Sequence, residues 1–366
     1  MSYENSSACN KFAALPSGAK IRLLLFSLLA CAALLSPSAK AADDCSPWGK
    51  LQFVCGPSHP EDLVLVPGTH WMVASGAHLY LVNADSKTWK EAYPGEAPRN
   101  NPDTKKFADC PGPPDAKKLV TVGLSIRQYG SDTTLFAVGR GGRDAVEAFK
   151  VDTGGAEPAI LWTGCVLMPK GSNANAVTAL PDGGFLVTSN IEPGHTREEA
   201  FSGTVSGAVY EWHPGAAIAK IPGTELSGDN GIESTPDGKQ FFVNATGGRS
   251  VTRFTRTASG VKADKVDLDV GPDNIRWGQH GLLYVAGRAD EPACGGTMAA
   301  RDGKLDSDCL RGFEILTLNP KTLKTQLVIR TKPDPQFNGW STGLQVGDTL
   351  WIPCTRCDRV AWMPLK

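Results

Sequence analysis

Histidine is scarce in this 366-residue chain: six are present, with no HExxH or other paired spacing, which leaves zinc without its usual ligands. No G-x-S-x-G elbow occurs, which argues against an α/β-hydrolase serine mechanism. One C-x-x-C is found, Cys354–Cys357, but it has neither a second copy nor a βαβ context, so a structural disulfide is the better reading. "GRGGRD" (139–144) lacks the strand–loop–helix setting and the Lys-Ser/Thr of a phosphate loop and reads as a turn. There is no basic face and the formal net charge is −1, so nucleic acid is not an expected partner. Nothing in the sequence speaks to oligomeric state.

A membrane-spanning run is missing too. The apolar stretch Leu23–Leu35 would reach only about 20 Å as a helix, against roughly 30 Å of bilayer hydrocarbon. Basic Lys20 and Arg22 precede it and the small-x-small triplet Ala39-Lys40-Ala41 follows, which is the pattern of a secretory signal cleaved near Ala41. Residues 1–41 are expected to be that signal and 42–366 the mature domain, secreted or periplasmic. "LLAC", ending at Cys31, is a minor alternative as a lipoprotein site, disfavoured because the apolar run continues past it. Cys9 and Cys31 fall in the leader. The other eight of the ten cysteines, in an exported chain, read as disulfides.

What the chain has in plenty is glycine, 40 residues, and proline, 26, punctuating short β-rich runs. Aligned, those runs repeat: "EDLVLVPGTHWMVASG" (61–76), "VGLSIRQYGSDTTLFAVG" (122–139), "NAVTALPDGGFLVTSN" (175–190), "NGIESTPDGKQFFVNATG" (230–247), "DNIRWGQHGLLYVAG" (273–287) and "STGLQVGDTLWIPCTR" (341–356). Each begins with a polar head, continues into an apolar strand, turns, and runs back as a second strand. A further strand pair follows each core, as in "GAVYEWHPGAAIAKIPG" (207–223). Six units of four strands predict an all-β six-bladed propeller. The last unit ends one strand short after "RVAWMPL" (359–365), and "KLQFVC" (50–55) has no other place, so the two termini are expected to share one blade. A disulfide from Cys45 or Cys55 to Cys354 or Cys357 would lock that seam. Cys294 and Cys309 are expected to staple the insertion "RADEPACGGTMAARDGKLDSDCLRG" (288–312).

In a propeller the first strand of every blade lines the channel, so the six polar heads meet in space. They are Glu61-Asp62, Val122-Gly123, Asn175, Asn230, Asp273-Asn274 and Ser341-Thr342. Turn chemistry alone accounts for Asn, Asp and Gly before strands, but it does not require charge in a narrow channel, where each unpaired carboxylate costs several kcal/mol. A hard cation relieves that cost. Calcium, which takes six to eight oxygens from carboxylates, amide carbonyls and water, suits a ring of this composition.

At these residues the chain resembles the calcium-dependent superfamily of six-bladed propellers that includes paraoxonase/arylesterase, gluconolactonase/senescence-marker protein and strictosidine-synthase-like proteins. "PEDLVLVPGTHWMVASG", "NAVTAL", "NGIESTPDGKQFFVNAT" and "PDNIRWGQHGLLYVAG" are similar to its first-, third-, fourth- and fifth-blade motifs in order. The resemblance implies one channel calcium held by Glu61, Asn175, Asn230, Asp273 and Asn274, with Asp62 as a further metal-site residue, and Asp273 or Glu61 as the carboxylate that takes a proton from water. The expected substrate is a small-molecule lactone or ester. The runner-up function is a non-catalytic metal-binding propeller that recognises a ligand or protein. Departures from the pattern are plain: Val122 and Arg140 stand where paraoxonases have a histidine pair, and Ala176 replaces an Asp of their second, structural calcium. His195, Arg288, Trp340, Ser341 and Thr342 are candidate pocket residues.

Overall fold

Phe241, Phe242 and Val243 show how one strand serves two neighbours. Phe241 and Val243 pack against Leu180, Leu186 and Val209 of the preceding blade, whereas Phe242 points the other way, toward Ile275, Val285 and Leu318 of the next. The strand's period of two puts successive side chains on opposite faces, and both faces are covered by another sheet. The same division separates Val73 and Leu81 from Met72 and Val82 in the first blade. Each fully buried aromatic or branched side chain of this kind contributes about 1.5–3 kcal/mol.

The computed structural model describes residues 45–294 and 309–365. The leader expected over 1–41 and most of the 288–312 insertion lie outside them. Among the described residues, 24 strands form six four-stranded antiparallel sheets, the propeller expected from the repeats. The innermost strands are Leu63–Leu65, Val120–Tyr129, Asn173–Ala179, Asp229–Ser234, Val270–Trp277 and Leu344–Val346. Each touches the next, and the sixth returns to the first, closing the ring. The outermost strand Gly260–Asp267 carries Lys262, Asp264, Lys265 and Asp267, charges that discourage edge-to-edge pairing.

The closing blade is built as anticipated from both ends of the domain. Gln52–Cys55 pairs antiparallel with Arg359–Pro364, Val54 opposite Val360. The expected seam disulfide is not there. Cys45 bonds Cys55, Cys354 bonds Cys357, and the other pairs are Cys110–Cys165 and Cys294–Cys309. None of these bridges crosses the seam, which is held by the strand ladder and by Gly56 and Ser58, which donate to Asp358. Four disulfides suit an oxidising, extracellular environment, and among the described residues no helix is long and apolar enough to cross a membrane.

Candidate functional site

Four of the inner strands carry a one-residue bulge at the same place. Pairing jumps between Thr121 and Leu124, between Ala174 and Val177, between Asp229 and Ile232, and between Pro272 and Ile275. The residues inside those jumps are Val122-Gly123, Asn175-Ala176, Asn230-Gly231 and Asp273-Asn274. They are the polar heads of blades two to five. A bulge breaks the ladder and re-aims its side chains, and here it turns them toward the channel. Gly231 has to be small: a Cβ there would lie 2.6 Å from both Asn274 Cα and the Asp273 carbonyl oxygen. Backbone groups freed by the bulges find partners on the second strands, where Asn244 Nδ2 donates to Asp273 O at 2.7 Å and Thr188 Oγ1 to Asn230 O at 2.6 Å.

Five predicted ligands converge there. Asn274 Nδ2 donates to Glu61 Oε1 at 3.0 Å, joining the fifth blade to the first, and Asn230 Nδ2 donates to Thr246 Oγ1, also at 3.0 Å. With their amide hydrogens so engaged, the oxygens face inward. Glu61 Oε2, Asn175 Oδ1, Asn230 Oδ1 and Asn274 Oδ1 are all buried without a hydrogen-bond partner. A buried orphan of this type costs about 1–3 kcal/mol. Burial pushes the Glu61 carboxyl well above its ordinary range, and the charges of Asp62 and Asp273 push it further. Asp273 is raised by burial to about 6, against the pull of Arg288, whose Nη2 is 3.8 Å from Asp273 Oδ2. Inward oxygens with no donor opposite them, beside two carboxylates, fit a hard cation with oxygen ligands. Among the described residues no group of three or more His, Cys, Asp or Glu is placed to hold a metal, so any ion here depends on the amide oxygens.

Asp62 does not join this set. Its Oδ1 accepts from Leu63 N at 2.8 Å and Thr342 Oγ1 at 2.9 Å, and its Oδ2 from Leu124 N at 2.7 Å and from Arg276 Nη2. The expectation that Asp62 ligates metal is thus corrected: its oxygens are already taken, chiefly by a guanidinium. Arg276 also donates to Leu124 O at 2.6 Å and to Glu233 Oε1 at 3.0 Å. A side chain of the protein thus supplies positive charge at Asp62, the residue that would have had to serve a second ion.

A pocket of about 330 Å³ opens at the bulges, with Glu61, Asn175, Asn230 and Asp273 in its wall. A second tier was not anticipated. Three residues beyond Ala137, Val187, Val243 and Val285, which are matched in register across blades two to five, stand Arg140, Asn190, Thr246 and Arg288. All four line the pocket. Carrying the repeat alignment one strand further would have found them. Arg288 was the member named in advance. Asn190 Oδ1 is a further buried oxygen without a partner.

The other candidates sit elsewhere. His195 is exposed, its Nδ1 3.2 Å from Glu199 Oε2. Trp340 is core, donating to Phe337 O at 3.0 Å and packed on Phe313. Ser341 and Thr342 are buried scaffolding whose hydroxyls bond Glu61 O and Asp62 Oδ1. They hold the first blade's head in place and do not line the pocket.

No protein-family model matches the chain, and no curated protein sequence does. Solved structures similar to it include a luciferin-regenerating enzyme, at 12% identity and a TM-score of 0.52 over 85% of this chain and 94% of that one. A protein inferred to be a gluconolactonase matches at 15% identity and 0.50, over 88% and 94%. A chain of a nidogen–laminin complex matches at 11% and 0.50, over 81% and 90%. At these identities what is shared is the fold.

Proposed function

We propose that this chain is an exported, calcium-dependent hydrolase of a small lactone or ester, with the ion held by Glu61, Asn175, Asn230, Asp273 and Asn274. The observation that carries the reading is the set of four buried, unpartnered oxygens, one from Glu61 and three from asparagines, beside the Asp273 carboxylate at the head of the channel. The two enzyme-like folds among the similar structures, a luciferin-regenerating enzyme and an inferred gluconolactonase, support it. Calcium, when bound, supplies Lewis-acid stabilisation of the negative charge that develops on the substrate carbonyl oxygen.

The remaining work falls to the chain's own groups. Asp273 is the proton acceptor on this reading: it lines the pocket with Arg288 beside it, whereas one Glu61 oxygen is already taken by Asn274. Taking a proton from the attacking water is general-base catalysis. Glu61 is a positioning group, held at one oxygen by Asn274 and at its backbone by Ser341. Val122 and Arg140 at the pocket wall provide no base near neutral pH, so the reading does not use a histidine pair.

A second reading is a metal-binding propeller without catalysis; the fold likeness to a chain from a nidogen–laminin assembly favours it. A panel of lactones and aryl esters, assayed with EDTA and with calcium restored, separates the two. The hydrolase reading expects turnover that is lost with chelator, regained with calcium, and absent in Asp273→Ala. Calcium-raised melting temperature with no turnover of any panel member would leave the second reading standing.

A further inference from the structure

The pocket wall carries four arginines, of which the reaction chemistry above uses only Arg288. Arg140 and Arg288 come from the second-strand ends, Arg197 from the short helix Arg197–Phe201 in the third-blade insertion, and Arg356 from the loop after Thr355. Only two carboxylates, Glu61 and Asp273, line the same space. Arg288 faces Asp273 at 3.8 Å, and Arg140 donates Nε to Ala174 O at 2.9 Å. Arg197 and Arg356 are exposed and make no ion pair or hydrogen bond among the described residues; Arg197 lies over the Phe201 ring, 5.7 Å from its centre. Burial weakens proton binding at Arg140 and Arg288, against the pull of Asp144 and Glu61 on the first and of Asp273 on the second, and the charge of Arg197 adds to that weakening at both, as does Arg356 at Arg288.

Arg288 has Asp273 beside it and Arg140 has Asp144, but Arg197 and Arg356 add positive charge at the same wall with no carboxylate paired to either among the described residues. An acidic group entering the pocket balances that charge. It also matches the planar donor fork of arginine, which grips carboxylates through paired hydrogen bonds. A pocket with focused positive potential further speeds the arrival of anions.

We propose that the substrate is itself an anion, a lactone or ester bearing a carboxylate at the end remote from the scissile carbonyl, with Arg197 and Arg356 as its receptors. This rests on the reading of the pocket as a lactone or ester site and narrows it. The reacting carbonyl faces Asp273, and the remote carboxylate points to the pocket mouth where the exposed arginines stand.

Two matched lactones test this, γ-valerolactone and its γ-carboxy analogue, which differ by a methyl against a carboxylate. Turnover is measured at low and high salt. Calorimetry with their hydrolysis products, 4-hydroxyvalerate and 2-hydroxyglutarate, reads binding without turnover. The expectation is a kcat/KM for the carboxy lactone at least tenfold higher, falling with salt, and tighter binding of 2-hydroxyglutarate. Arg197→Ala and Arg356→Ala each reduce both preferences about threefold, and the double variant about tenfold; Lys262→Ala on an outer strand does not. Equal handling of both lactones, or a preference untouched in the double variant, overturns the anion site while leaving hydrolysis intact. A binding preference that follows the arginines with neither lactone turned over supports the anion site and instead removes the hydrolase reading.

Discussion

Asn274 in the fifth blade donates its side-chain amide to Glu61 in the first, 213 residues away along the chain and 3.0 Å away in space. The bond is made across the channel head, and it fixes which atom of each side chain is left over: Glu61 Oε2 and Asn274 Oδ1, both buried and both without a donor. One contact therefore staples the ring and orients two oxygens of the candidate site.

Arg276 is the buried cation of this channel, bonded to Asp62 and Glu233. Arg276→Met removes it and strands two carboxylates. A loss of about 3–5 kcal/mol is expected, the usual result of breaking a buried ion pair from one side, measured by chemical denaturation. Combining it with Asp62→Asn is expected to recover part of that loss, because the remaining polar group is neutral.

Gly231→Ala tests the close approach of neighbouring bulges. The added methyl meets backbone of Asp273 and Asn274, which cannot yield as a flexible side chain does. The variant is expected to lose about 1–3 kcal/mol and, because those two residues must shift, to bind calcium at least tenfold more weakly by calorimetry. Gly130→Ala, at a turn with open space around it, is the contrast: it is strained by its positive φ but leaves calcium affinity unchanged.

Glu233 has a carboxyl raised by burial to about 7, against an ordinary value of 4.5, despite Arg276 beside it. The folded state therefore holds a proton that the unfolded chain has already released. The resulting stability is fully present below about pH 4.5 and is lost as pH rises through 7. Glu233→Gln is expected to flatten that decline, by an amount on the order of 3 kcal/mol between those pH values; melting temperatures across the range check it.

The disulfides differ in how much chain they constrain. Cys110–Cys165 closes a separation of 55 residues, and Cys354–Cys357 one of 3. On the chain-entropy account, replacing the first pair with serine costs about 4 kcal/mol and replacing the second less than about 2. Denaturant midpoints of the two double variants decide the order.

The propeller was legible because its evidence repeats: six polar heads, each followed by an apolar strand and a turn, cannot easily mean anything else. The heads themselves pointed to one place for the same reason. What the sequence concealed was direction. Glu61 and Asp62 are adjacent and chemically alike, yet Glu61 lines the pocket while Asp62, held by Thr342 and Leu124, turns to Arg276. Arg276 lies in the same inner strand as Asn274, and nothing in its sequence position marks it as the partner of Asp62 and Glu233. Arg197 and Arg356 come from an insertion and a loop, which carry no repeat to align. The expected seam disulfide fails because Cys45 lies close to Cys55 and Cys354 to Cys357, a spatial pairing that cysteine spacing does not fix.

The strand Gln52–Cys55 finds its only sheet partner in Arg359–Pro364. During synthesis it emerges early and then waits while some three hundred further residues are made. At the usual pace of translation that delay is roughly 15–60 s, with two sheet edges bare throughout. No covalent tie shortens the wait, because the Cys45–Cys55 bridge fastens the early segment to itself. This architecture therefore makes its maturation dependent on whatever shields nascent β-edges, and a chain that stops before Arg359–Pro364 leaves those edges open to pairing with its own kind.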